Sequence, residues 1–220
     1  MSLGKHTVKS YDDDLRSVAA DLEMMLSKIK VSIDMVVDSI KNPDQDHYSK
    51  IRAHDHKVNE IDKKIEQEVV QLLALRQPMA VDLRYVTSLL KVSANLERVG
   101  DQAKNIVGKV GKIKNQILDP RFTNLFLDMA DISKNMIDAA VTSFNSQDAS
   151  KANFVLKSDA AINADYKEFK KIIEGENFTR NEVIDLIDIL FVAKSLERLA
   201  DHATNIAELS LYVITGEHQD

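Results

Sequence analysis

The chain has no cysteine and no tryptophan, only 3 prolines and 6 glycines, and 5% aromatic residues. Each scarcity narrows the reading. Without cysteine there are no disulfides, no thiolate metal sites and no cysteine nucleophiles, which suits the cytoplasm. So few prolines and glycines leave few turns and predict long elements. No apolar run approaches the length of a membrane span, and the N-terminus lacks the apolar core of a secretory signal. The expectation is a soluble cytoplasmic protein. Acidic residues number 35 against 29 basic ones, a formal charge of -6, and no basic stretch is clustered enough to track a phosphate backbone. Direct nucleic-acid binding is therefore not expected. Gly-rich phosphate loops, serine elbows and His-Glu-x-x-His are also missing, and none of the 6 histidines has a glutamate three positions before it, which excludes the paired Glu-x-x-His of ferritin-type di-iron bundles.

What is present is helical material: 44% hydrophobic residues in a chain rich in Leu, Ile, Lys, Glu and Asp. Leu15, Val18, Leu22, Met25, Ile29, Ile33, Val36 and Ile40 recur at steps of three and four, the pattern of a buried helix stripe, which stops near Asn42-Pro43. A second stripe runs through Ile51, Val58, Ile61, Ile65, Val69 and Leu72 and ends before Gln77-Pro78, where the proline is placed to open the third helix. Val86, Leu89, Leu96, Ala103 and Val110 mark that third helix. After Asp119-Pro120 the series begins again with Phe122, Leu125, Met129, Ile132, Met136 and Phe144. Val155, Ile162, Tyr166, Phe169 and Ile173 then mark a fifth helix, and Gly175 with the capping candidate Thr179 leads to a sixth. The fold class expected is all-α, two tandem three-helix bundles spanning residues 1–118 and 119–220.

An internal repeat sharpens this. At an offset of one hundred, Val92, Leu96, Glu97, Arg98, Asp101, Ala103, Asn105 and Ile106 meet identical residues at Val192, Leu196, Glu197, Arg198, Asp201, Ala203, Asn205 and Ile206. At an offset of one hundred and four, Asp55 meets Asp159 and Asn59 meets Asn163, amid matching apolar positions. Polar positions match better than most apolar ones, so duplication alone is a poor account of them.

Glu97 with Asp101 and Glu197 with Asp201 each set two carboxylates one helical turn apart, a repulsion of about 0.2–0.5 kcal/mol per pair unless a cation lies between them. Short connections make consecutive helices antiparallel neighbours. Two clusters then follow: Asp55, Asn59, Glu97 and Asp101 with Asn105 one turn further, and Asp159, Asn163, Glu197 and Asp201 with Asn205. All are oxygen donors, which favours hard ions such as Mg²⁺, Ca²⁺, Mn²⁺ or iron; iron or manganese suits them better than zinc. His202 has Gln102 as its counterpart, so a histidine ligand would belong to one site only. Gly100, Ala200, Ser93 and Ala193 keep side chains small around the acids and leave room for an ion. Arg98 and Arg198 read as surface partners for acids, His47, His54 and His56 as surface or edge residues, and Met24-Met25 with the other methionines as core filler. The competing readings are a solvated acidic face and a metal-dependent hydrolase or redox enzyme, which needs an open coordination position and a nearby acid or base.

LERVGDQAKNI and LERLADHATNI, with Asp-x-x-Val-Asn in the preceding helix and Gln77-Pro78 before the third, resemble the PhoU family of phosphate-signalling regulators over nearly the whole chain. The resemblance implies two three-helix bundles side by side, with multinuclear clusters of iron or zinc on acidic E(D)xxxD motifs. Those motifs fall on Glu97 and Asp101 and on Glu197 and Asp201, with Asp55 and Asp159 as partners; Asn59 and Asn163 depart from the pattern by replacing an acid. It further implies an adaptor rather than an enzyme, a negative regulator that couples the ATPase of a phosphate ABC transporter to a phosphate sensor histidine kinase. A homodimer that meets the membrane only through those partners is implied as well.

Overall fold

The computed structural model describes residues 9–43, 46–113, 120–175 and 180–217. Six helices follow one another: α1 Lys9–Lys41, α2 Tyr48–Arg76, α3 Ala80–Val110, α4 Pro120–Ser146, α5 Ala149–Glu174 and α6 Arg180–Thr215. There is no strand among the described residues. The expected boundary at 118/119 and the capping candidate Thr179 lie outside them.

The apolar stripes read from the sequence form the core. Every member of the α1 stripe from Leu15 to Ile40 is buried, as are Ile51, Val58, Ile65, Val69 and Leu72 of α2. Each such side chain contributes about 1.5–3 kcal/mol on removal from water, so these faces, rather than helix propensity, hold the long helices in place. Met25, Met129 and Met136 are core residues, but Met24 and Met79 are exposed at 51% and 79%, contrary to the reading of the methionines as filler. Met24 precedes the inward Met25 by one position and so lies about 100° around the helix from it.

Helix α2 ends where Gln77 turns left-handed (φ 48°, ψ 55°) and its N–H reaches the Leu73 carbonyl. A residue before proline is disfavoured in the helical region. Pro78 therefore acts as a stop for α2 rather than as the opening of α3, which begins two residues later behind an extended Met79. At the α1–α2 turn the His47 ring, expected at the surface or an edge, is buried; its Nε2 meets the Asn42 carbonyl at 2.9 Å and its Nδ1 lies 3.5 Å from Asp38. His54 is half-buried, with Nε2 2.9 Å from the Lys28 carbonyl, and only His56 is well exposed.

Within each half the three helices pack on one another, and the halves join through α3 against α6 and α1 against α4. Both junctions are antiparallel. Lys109 pairs with Asp188 at 2.7 Å while Asn95, upstream on α3, meets His202, downstream on α6. Lys30 pairs with Asp138 at 2.8 Å, and Lys134, earlier on α4, reaches Asp34, later on α1. Tyr85 of α3 stacks on Phe144 of α4 with centroids 5.0 Å apart, so the two halves share one core. Helices α2 and α5 are left on opposite outer flanks, each carrying one half's aspartate and asparagine to its neighbour.

Candidate functional site

In the first half Asp55 interrupts the apolar stripe of α2 and is therefore carried inward, to 6% exposure. It faces α3 where Gly100 stands; a Cβ there would lie 3.7 Å from Asp55 Oδ1 and 3.4 Å from Ile29, ordinary contact, so the space read from the glycine is no larger than alanine would leave. Asp55 Oδ2 accepts a 2.6 Å bond from the Lys104 ammonium, which gives a second 2.6 Å bond to Asp101 Oδ1. Lys104 thus bridges α2 and α3 through two of the predicted acids. Burial acts to lower its pKa, but the bonds to Asp101 and Asp55 outweigh it and hold the ammonium above its ordinary value.

The remaining donors are less satisfied. Asp55 Oδ1 and Asn59 Oδ1 are buried without a hydrogen-bond partner. Glu97 lies 3.6 Å from the Arg98 guanidinium, its neighbour in sequence. Burial first, then Asp101, push the Glu97 carboxyl above its usual range, with Asp62 and Asp55 adding to the effect. An open groove of about 930 Å³ is lined in part by Ser49, Arg52, Asp55, Asn59 and Lys104. Asn105 is exposed on the far side of Lys104 along α3.

The second half repeats the backbone plan with different partners. Asn163 is exposed and donates to Asp159 Oδ2 at 2.7 Å, while Lys194 pairs with Glu197. Burial, then Glu197, raise the Asp201 pKa, and Asp159 adds to this against the opposing charges of Lys194 and Arg198. Thr204, at the place of Lys104, turns its hydroxyl back onto the Asp201 carbonyl at 2.7 Å. His202 and Asn205 face the other half: both reach Asn95 Oδ1, at 3.0 and 3.2 Å. Burial, then Arg198 and Arg98, lower the His202 pKa and keep the ring neutral, which leaves Nδ1–H to donate to Asn95.

The sequence reading thus brought Asp55, Asn59, Glu97 and Asp101 to one helix pair and Asp159, Asn163, Glu197 and Asp201 to another, while Asn205 serves the junction between halves. It missed Lys104 and also Asp62, which accepts a 2.5 Å bond from Ser93 and lies in the field of Glu97. Asp55, Asn59 and Asp62 recur at i, i+4 and i+7, a helical face that spacing alone marks. Comparing the repeats hid both residues, because their counterparts are Thr204 and Tyr166.

The first-half donors fit a hard cation in chemistry: all are oxygens, and two buried oxygens lack partners. In this conformation no three His, Asp or Glu side chains among the described residues converge closely enough to hold a metal ion.

Comparison with known proteins places this arrangement. The PhoU domain model matches residues 22–110 and 126–210, one segment in each half. The chain is 35% identical over 219 residues to the phosphate-specific transport system accessory protein PhoU homolog of Caulobacter vibrioides, covering 97% of this chain and 93% of that protein. It is 30% identical to the protein of the same description from Xylella fastidiosa, covering 98% and 90%. Among solved structures, PhoU from Pseudomonas aeruginosa superposes with a TM-score of 0.87 at 27% identity, over 94% of this chain and 100% of that one. The phosphate transport system regulatory protein PhoU from Streptococcus pneumoniae gives 0.85 at 27%, over 96% and 99%. Two matched segments, near-complete coverage and the same six-helix fold agree: this chain belongs to the PhoU family.

Proposed function

We propose that this protein is a cytoplasmic, homodimeric regulator of phosphate uptake that binds metal ions on its two carboxylate clusters and links a phosphate ABC transporter ATPase to a phosphate sensor histidine kinase. Its relatives are accessory proteins of phosphate-specific transport systems, matched across almost their full length. No helix among the described residues is long and apolar enough to cross a membrane, which agrees with contact to a transporter through its ATPase. The observation that carries the metal reading is the pair of buried, partnerless oxygens, Asp55 Oδ1 and Asn59 Oδ1, beside Glu97 and Asp101.

Asp55, Asn59, Glu97 and Asp101 would hold an ion in the first half, and Asp159, Asn163, Glu197 and Asp201 in the second. Iron is favoured, with manganese or zinc as the other candidates. A bound cation supplies charge neutralisation and a link between neighbouring helices. The side chains themselves position the donors: the inward turn of Asp55 fixes one oxygen between α2 and α3, and the bond from Ser93 holds Asp62 behind Glu97. The adaptor role is tested by affinity capture from cells at high phosphate. Recovery of both the transporter ATPase and the sensor kinase is expected; recovery of neither would contradict it.

A further inference from the structure

Among the residues by which the two halves differ, Lys104 bears most directly on cation binding. Lys104 is half-buried, with 23% of its side chain exposed, and its Nζ lies 2.6 Å from Asp55 Oδ2 and 2.6 Å from Asp101 Oδ1. Its ammonium occupies the place between the α2 and α3 carboxylates where a cation would neutralise both. The other oxygen of Asp55, a residue 6% exposed, and Oδ1 of Asn59 remain without partners beside it, so one ammonium does not satisfy the donor set. In the second half Thr204 stands at this position and carries no charge. Lys194 is no substitute: it pairs with Glu197 on its own helix, is half-exposed, and meets α5 over the Tyr166 ring, 5.7 Å to the centroid, rather than through a second acid among the described residues.

We infer that Lys104 is a built-in cation that a metal ion must displace from Asp55 and Asp101, so that it sets the metal affinity of the first half. This rests on the metal reading proposed above. The inference follows from competition for the same oxygens. An incoming divalent ion gains Asp55, Asn59, Glu97 and Asp101 but must first break two charge-assisted hydrogen bonds, which are about twice as strong as neutral ones. Once released, the lysine has somewhere to go, because its side chain already lines the groove that opens to solvent beside Arg52 and Ser49. In the absence of metal the same ammonium holds α2 to α3 and prevents the acids from repelling across the interface. Lys104 is thus a positioning and selectivity residue, favouring ions of high charge over those that offer no more than the ammonium does.

The test uses the full chain, stripped with chelator, in an Asp159→Ala/Asp201→Ala background that silences the second half. Mn²⁺ is titrated and the free ion counted by electron paramagnetic resonance. Lys104→Met is expected to bind Mn²⁺ at least tenfold more tightly than its parent, while Lys104→Arg, which keeps the charge, stays near the parent. In chelator Lys104→Met melts below the parent, and added Mn²⁺ restores it. Should Lys104→Met fail to fold by circular dichroism, Lys104→Thr, which copies the second half, takes its place with the same expectation. Equal or weaker binding by the uncharged variants, with the parent binding, overturns the displacement role and leaves the metal reading standing. Folded proteins that all leave Mn²⁺ free overturn both.

Discussion

Burial and the neighbouring Asp101 push the Glu97 carboxyl above its ordinary value of 4.5, so the native state holds that proton more tightly than the unfolded chain does. In the window above 4.5 the folded protein then binds more protons, and stability falls as pH rises through it. The sign is opposite for Asp46 and Asp148, whose carboxyls are held low by hydrogen bonds from Ser49 and Ser150. Comparing variant with parent cancels those contributions. In chelator, Glu97→Gln is expected to lose part of the melting-temperature gain that the parent shows on acidification from pH 7 towards pH 5. An unchanged slope would show that the native state holds no extra proton at Glu97.

At the scale of elements, the contact between α3 and α6 centres on Asn95, whose Oδ1 accepts from His202 Nδ1 and Asn205 Nδ2 while its amide donates to the Lys91 carbonyl. Removing that acceptor leaves the neutral, half-buried His202 N–H without its partner. Asn95→Ala should therefore cost about 1–2 kcal/mol, measured as a lower denaturant midpoint at unchanged slope; a loss under about 0.5 kcal/mol would mean water replaces the acceptor. This junction also shows where reading the sequence stops. Apolar stripes were legible for the first five helices, because burial of a stripe such as Leu15 to Ile40 imposes a period of 3.6 wherever the core lies. The inward turn of Asp55 was legible for the same reason, as an acid at an apolar position. Periodicity does not say which helix of one half meets which of the other, so Asn205 was assigned to the carboxylates of its own half when it in fact faces Asn95. Repetition found the acids and hid Lys104 and Asp62, since a residue that distinguishes the halves is by construction absent from their common pattern. The turn at Gln77-Pro78 was placed correctly but given the wrong task, because proline suits both the first turn of a helix and the position just beyond one.

On the scale of the whole molecule, antiparallel packing of α3 on α6 and α1 on α4 makes one body from two copies of a three-helix unit and sets the carboxylate-bearing pairs, α2–α3 and α5–α6, on its two sides. The copies share a backbone plan but not a charge balance: one carries Lys104 between its acids and the other Thr204. On the reading proposed above, the two carboxylate clusters have equal ancestry, and Lys104 makes the first the weaker cation binder. The most direct measurement is the metal content of protein purified without chelator, by mass spectrometry of the metals, for the parent and for Asp55→Ala/Glu97→Ala and Asp159→Ala/Glu197→Ala. The account predicts bound transition metal in the parent, a larger loss from the second-half variant than from the first, and lower melting temperatures where metal is lost. A parent free of transition metal, with content and melting temperature unchanged in both variants, would contradict it.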